Sequence, residues 1–214
     1  MRFAGRLSAV VFVVGILAAS VAWGAANFVP VPDIEKYLTP ENMAKLEKGE
    51  MIKFNQIVKD QEGNDRGKGV ALILVHASKD KIMAALDSFE TYPTWMPNTN
   101  STKVVLRQGD RVDVEFDLTV ALVIPVHYTV IHKIDKGAGT IQWRMDDSKP
   151  KKHVKDSTGA WVIKPLDENK CVVAYTVSVD TGAAVPKSIQ DALTNTSLPK
   201  VVKAVRERVE GKQP

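Results

Sequence analysis

Cysteine is nearly missing from this chain, with Cys171 alone among 214 residues. A lone thiol cannot close an internal disulfide. Cys171 also keeps step with Val173, Tyr175, Val177 and Val179 on one face of a strand-like run, so it reads as buried and inert. Histidine is scarce too, at four residues. His127 and His132 lie five apart in a strand-like stretch and therefore point to opposite faces. Neither a cysteine nor another histidine completes a ligand set, which argues against a metal site. Charge of one sign is lacking as well. The net charge of +4 includes Arg2 and Arg6 at the very start, and the small remainder leaves no footprint for nucleic acid. With 44% hydrophobic and 25% charged residues, there is chain enough for one domain with a real core, and two full domains would be a tight fit.

The first 24 residues have the pattern of a secretory signal peptide. Residues 1–6 carry two arginines and no acid, residues 7–21 are nearly all apolar, and Ala22 and Gly24 are small residues two apart ahead of Ala25. The expectation is export, to the periplasm in a Gram-negative cell. The alternative is an uncleaved anchor, because residues 7–26 come close to the roughly 20 needed to span a bilayer. No cysteine adjoins the cleavage region to suggest lipid modification. Residues 25–50 read as an N-terminal extension that packs on the main body. Val29-Pro30-Val31-Pro32 is extended, and then Thr39 caps a short helix with Pro40 at its first position, Met43 and Leu46 as its apolar face, and Gly49 as its stop.

Residues 51–210 form the domain. Residues 51–59 and 68–75 predict a hairpin around a polar loop, with His76 as a structural residue at its end. Ser78 then caps a helix whose Ile82, Met83, Leu86 and Phe89 form one buried stripe. The stripe runs into Phe89-Glu90-Thr91-Tyr92-Pro93-Thr94-Trp95-Met96-Pro97, where two prolines force a stop and a turn. Trp and Met are worth about 1.5 to 3 kcal/mol each when buried, so this turn folds over an apolar interior, either as a plug of the core or as the edge of a ligand cavity. Val112, Val114, Phe116, Leu118, Val120 and Leu122 alternate with Asp113, Glu115, Asp117 and Thr119, which predicts a strand with an apolar inner face and a solvated acidic outer face. Val126, Tyr128, Val130, His132 and Ile134 mark the next inner row, and Ile141, Trp143 and Met145 another. The basic loop 149–155 is expected simply to be solvated. Residues 159–163 and 171–179 predict a further hairpin around Asp167-Glu168-Asn169. A long helix over residues 188–209 closes the chain, with a kink or break at 195–199 where Pro199 falls and Ser197 serves as a new N-cap.

Hairpin, helix, aromatic turn, five or six antiparallel strands and one long helix make an α+β protein. The run Phe89-x-x-Tyr92-Pro93-x-Trp95-x-Pro97, then Gly159-x-Trp161-x-Ile163-x-Pro165, Tyr175-x-Val177 and Pro186, resembles the START-like (steroidogenic acute regulatory protein-related lipid transfer) and polyketide cyclase superfamily over residues 50–210. The resemblance implies a helix-grip fold, in which a curved antiparallel sheet wraps a long C-terminal helix over an apolar cavity. It places Trp95 and Met96 at the turn facing that cavity, Phe116, Leu118, Val120, Tyr128, Trp143 and Tyr175 on the sheet, and Ile189 and Leu193 on the helix wall. It carries over no catalytic residue, metal or cofactor. The leading expectation is a non-catalytic, monomeric carrier of a lipid or other apolar small molecule with transient membrane contact. The alternative is a cyclase or dehydratase acting on an apolar carbonyl substrate, with Tyr128, Tyr175 or a histidine polarising the carbonyl. A third is an adaptor using the fold as a structural module.

Overall fold

The protein is seen as a computed structural model that describes residues 28–59, 65–120, 123–180 and 197–211. The expected signal segment, the row positions Ile189 and Leu193 and the first two residues of the expected kink lie outside the described residues. Among the described residues no helix is long and apolar enough to cross a membrane.

Eight antiparallel strands form one sheet. They are β1 (Ile52–Lys59), β2 (Asp65–Val75), β3 (Thr99–Gln108), β4 (Arg111–Val120), β5 (Ile124–Asp135), β6 (Thr140–Met145), β7 (Asp156–Asp167) and β8 (Lys170–Asp180), in spatial order β1-β2-β8-β7-β6-β5-β4-β3. Helix α1 (Pro40–Glu47) precedes the sheet, α2 (Lys79–Asp87) and a 3-10 helix (Phe89–Thr94) link β2 to β3, and α3 (Leu198–Glu210) closes the chain. The sheet is open and curved, and α3 packs on its inner face against β2 and α2, which is the helix-grip arrangement.

Period-two alternation sorts the side chains into two layers. The odd residues Ala71, Ile73 and Val75 of β2 and Cys171 and Val173 of β8 face inward, as do Val112, Val114, Val130, Ile141 and Ile163. They meet Ile82, Met83 and Leu86 of α2 and Leu198, Val202, Val205 and Val209 of α3 in one cluster. The α3 spacing of four, three and four puts its residues on a single stripe. The even residues Val70, Leu72, Leu74, Val172 and Ala174, with Val162, face outward and would be wet on a bare sheet. The N-terminal extension covers them: Ile34 and Leu46 are buried there, and Tyr37 stacks on Phe54 with centroids 4.6 Å apart. The extension is held by polar contacts as well. Thr39 Oγ1 accepts from the Asn42 amide at 3.2 Å to cap α1, Gly49 leaves it with φ of 81°, and Gln142 Nε2 donates to the Val29 carbonyl at 2.7 Å.

The structure departs from the sequence reading at three places. Asp113 is not solvated: it is 5% exposed, because Arg111 on the same outer row folds back and donates two hydrogen bonds to its carboxylate at 2.7 and 2.6 Å. Ser197 does not cap a new helix with its hydroxyl. Its own φ and ψ of −75° and −41° are helical, which turns the side chain away from the cap position, and Pro199 sits in the first turn, where its missing N–H costs nothing. The basic loop does more than solvate itself. Lys152 exchanges two backbone hydrogen bonds with His127 at 3.2 and 2.8 Å, Lys151 pairs with Asp147 at 2.7 Å, and Lys155 with Asp180 at 3.6 Å. Those contacts fix the loop backbone against β5, while its lysines stay exposed as expected.

Candidate functional site: an apolar cavity between sheet and helix

Between the inner face of the sheet and α3 lies a cavity of about 220 Å³. Its floor is the α2 to β3 connection. Phe89 is fully buried there, and Tyr92 is held by a hydrogen bond from its hydroxyl to the Leu86 carbonyl at 2.6 Å, which satisfies one of the orphan carbonyls at the end of α2. The turn continues through Met96 to Asn98, which takes a positive φ of 63°, a conformation asparagine tolerates better than most residues, and so returns the chain to the sheet. Pro93 sits inside the 3-10 helix, and the prolines that suggested a turn therefore build one.

The sheet wall is aromatic. Phe116 stacks on Tyr128 with centroids 5.9 Å apart, Trp143 on Tyr175 at 5.4 Å, and Trp161 leans on Tyr175 at 4.4 Å. Gly159 makes room for this. A Cβ there would come within 2.2 Å of both the Thr176 carbonyl and the Trp143 ring, so only glycine lets the indole lie across β7. At the mouth, Leu118, Val120, Ile124 and Val126 of the β4–β5 hairpin face His153 and Val154 of the basic loop and Ser197, Leu198 and Val201 of α3.

Of the ten positions expected at the cavity, Met96, Phe116, Leu118, Val120, Tyr128, Trp143 and Tyr175 line it. Trp95 is not among the lining residues; it packs edge-on against Tyr92 at 5.1 Å and donates from Nε1 to Thr91 Oγ1 at 3.0 Å. Ile189 and Leu193 are outside the described residues. Sequence reasoning passed over His153 and Val154 in a loop without periodicity. It also left out Trp161, although the cross-strand pairing of Trp161 with Tyr175 follows from the hairpin it predicted.

No Asp, Glu, Lys or Arg lines the cavity among the described residues. Its polar groups include the Tyr128 and Tyr175 hydroxyls and the His132 ring. Burial pushes the Tyr128 hydroxyl up to about 12, and burial, with Tyr128 nearby, raises that of Tyr175 as well, so both are protonated donors in ordinary conditions. Neither hydroxyl has a hydrogen-bond partner among the described residues. His132, 6% exposed, packs against Phe89 at 4.4 Å and Phe116 at 6.1 Å, and its Nδ1 lies 3.2 Å from the Val112 carbonyl. Burial holds its pKa down to about 4, so the ring is neutral near pH 7. His127, on the opposite face as its parity requires, serves the outside of the sheet. It lies 2.9 Å from Asp117, whose carboxyl that contact holds below the usual range, and 3.9 Å from Glu115.

Comparison with known proteins decides the family. A family model described as polyketide cyclase / dehydrase and lipid transport matches residues 68–211, about two thirds of the chain. The chain belongs to that family. Solved structures of similar fold include the Zhui aromatase/cyclase of Streptomyces sp. R1128, with 16% identity and a TM-score of 0.59 over 75% of this chain and 94% of that one. A START superfamily protein from Mycobacterium smegmatis has 19% identity and a TM-score of 0.59 over 68% and 99%. A STAR-related lipid transfer protein fragment from Xanthomonas axonopodis has 18% identity and a TM-score of 0.58 over 73% and 98%. No curated protein matches the chain. The solved structures of this fold include both an aromatase/cyclase and a lipid transfer protein, so the fold alone does not choose between enzyme and carrier.

Proposed function

We propose that this protein is a non-catalytic carrier that shields an apolar small molecule in the cavity between its sheet and α3. The observation that carries the reading is the lining: aliphatic and aromatic side chains with no ionic group among the described residues. Burial of apolar ligand area drives such binding without any reacting partner. The volume narrows the cargo. At about 220 Å³ the cavity falls below the roughly 300 to 1,000 Å³ of drug-sized sites, so it suits a single chain or a few fused rings and does not enclose a whole phospholipid as it stands. Residues 1–24 act as an export signal in this reading, and the cargo is carried across an aqueous compartment outside the cytoplasm.

The enzymatic alternative draws on the two unpartnered tyrosine hydroxyls, which could polarise a substrate carbonyl. General acid–base chemistry also asks for a base poised near the working pH. His132, one of the two histidines among the described lining residues, is far from that because burial keeps it neutral down to about pH 4, and the other, His153, turns its Nδ1 to the Pro125 carbonyl at 2.7 Å. Tyr128 precedes His132 by four residues on β5, roughly 13 Å along a strand, too far for direct relay. Purification from the native host, solvent extraction and mass spectrometry test the carrier reading. A stoichiometric apolar compound supports it. An empty protein that also takes up no compound from an apolar panel sinks it.

A further inference from the structure

His132 is a polar group of the cavity wall with only one of its two ring nitrogens in a hydrogen bond among the described residues. It is buried in the cavity wall beside Phe89, on β5 opposite Val112, with aromatic rings on two sides. A carbonyl oxygen can only accept, so the Nδ1 facing the Val112 carbonyl must carry the ring hydrogen. The tautomer follows: Nε2 is bare, an acceptor. No group among the described residues donates to it, and an acceptor that faces an apolar cavity gains a hydrogen bond only from what enters that cavity. No charged side chain is among the described lining residues, and none of the neutral donors there, the Tyr128 and Tyr175 hydroxyls included, makes a hydrogen bond to His132.

We infer that the part of the cavity walled by His132, Phe89 and Phe116 is a recognition site for the hydroxyl of an uncharged alcohol or phenol, which donates its hydrogen to His132 Nε2. This rests on the carrier reading and specifies its cargo. A hydroxyl supplies the missing donor without bringing charge into a site walled by Phe89 and Phe116. A carboxylate fails on both counts. It is itself acceptor-only, so it meets the Nε2 lone pair with its own, and its charge would be desolvated with no cation in the lining. A plain hydrocarbon fits the walls but leaves Nε2 unpaired. Ethers and ketones have the same defect, since they accept and do not donate.

The test uses four probes of nearly equal size, 2-naphthol, naphthalene, 2-methoxynaphthalene and 2-naphthoate, titrated into the full protein and followed by fluorescence. The expected order places 2-naphthol about five- to tenfold tighter than naphthalene and 2-methoxynaphthalene, the worth of one buried hydrogen bond, and 2-naphthoate weakest by roughly a hundredfold or more. In His132→Phe the preference for 2-naphthol over naphthalene disappears while naphthalene still binds. Should that variant not fold, the nitrogen NMR shift of the wild-type His132 ring replaces it: Nε2 moves on adding 2-naphthol and stays put on adding naphthalene. Binding of naphthalene with no preference for 2-naphthol, an Nε2 resonance indifferent to it, or tight binding of 2-naphthoate overturns the hydroxyl site and leaves the carrier reading standing. If none of the four binds, cavity binding itself fails and the hydroxyl site fails with it.

Discussion

Neutral burial of His132 makes the protein's stability depend on acidity in a way that can be calculated. In the unfolded chain the ring has its ordinary pKa of 6.5, and in the folded protein burial lowers it to about 4. The unfolded state therefore takes up a proton between those values and the native state does not. Since stability rises with pH wherever the unfolded state binds more protons, this contribution is complete above about pH 6.5 and is lost as pH falls toward 4. Between pH 7 and pH 4.5 the loss from this one group is about 2.5 kcal/mol, and its ceiling, reached below the folded pKa, is roughly 3 kcal/mol. A His132→Asn variant isolates it, because the asparagine amide can still donate to the Val112 carbonyl but has no proton to gain. Urea unfolding of both proteins at the two pH values is the assay. Contributions common to both proteins cancel in the difference of differences. Wild type should lose about 2 to 3 kcal/mol more than the variant on acidification. Parallel losses, agreeing within about 0.5 kcal/mol, would show that His132 is not held neutral by burial.

Three further substitutions probe the walls. Gly159→Ala drives a Cβ into the Thr176 carbonyl and the Trp143 ring, both 2.2 Å away, and should cost about 2 to 3 kcal/mol in urea unfolding with a change in tryptophan fluorescence. Tyr92→Phe removes the donor to the Leu86 carbonyl and leaves that oxygen buried and unpaired, so its midpoint should fall by the equivalent of about 1 to 2 kcal/mol with no change in fold by circular dichroism. Val120→Trp, at the half-open mouth, should weaken naphthalene binding roughly tenfold while stability moves by less than about 1 kcal/mol, since the added ring occupies cavity and not packed core.

Much of the fold was legible because one rule, alternation, acts along nearly every strand. The inner rows of β4, β5, β6 and β8 were each visible as apolar residues two apart, and the caps at Thr39 and Ser78 were visible as short polar residues ahead of apolar periodicity: Ser78 Oγ accepts from the Lys81 amide at 3.3 Å. Strand β3 was harder to read. It is an edge strand, mostly exposed, with register shifts near Ser101 and Leu106, so its residues face no continuous core and keep no clean period. The buried Asp113 escaped for a different reason. Alternation reports which face a residue is on, and the folding back of Arg111 over that face depends on two flexible side chains meeting, which no spacing encodes.

Whether the interior is filled or hollow was beyond the rows for a physical reason that the structure makes plain. Phe116, Tyr128, Trp143 and Tyr175 are large enough to fill a core, and a core built from them would push the rings toward the helix. Instead they pair with one another along the sheet: the Phe116 and Tyr128 planes differ by 20° and those of Trp143 and Tyr175 by 22°. Rings stacked side by side satisfy their dispersion contacts within the wall and extend less far across the gap. The helix side is equally restrained. Val201, Val202 and Val205 are short, and two of them, Val202 and Val205, are spent in the main cluster with α2 and β2. Short side chains on one wall and mutually stacked rings on the other leave the space between unfilled, and β-branched valines do not have the reach to close it. Alternation is satisfied equally by either outcome, because it fixes direction and not length. The hollow is therefore a property of pairings across strands and between layers, and it persists at a cost in lost contacts that a bound apolar molecule would restore.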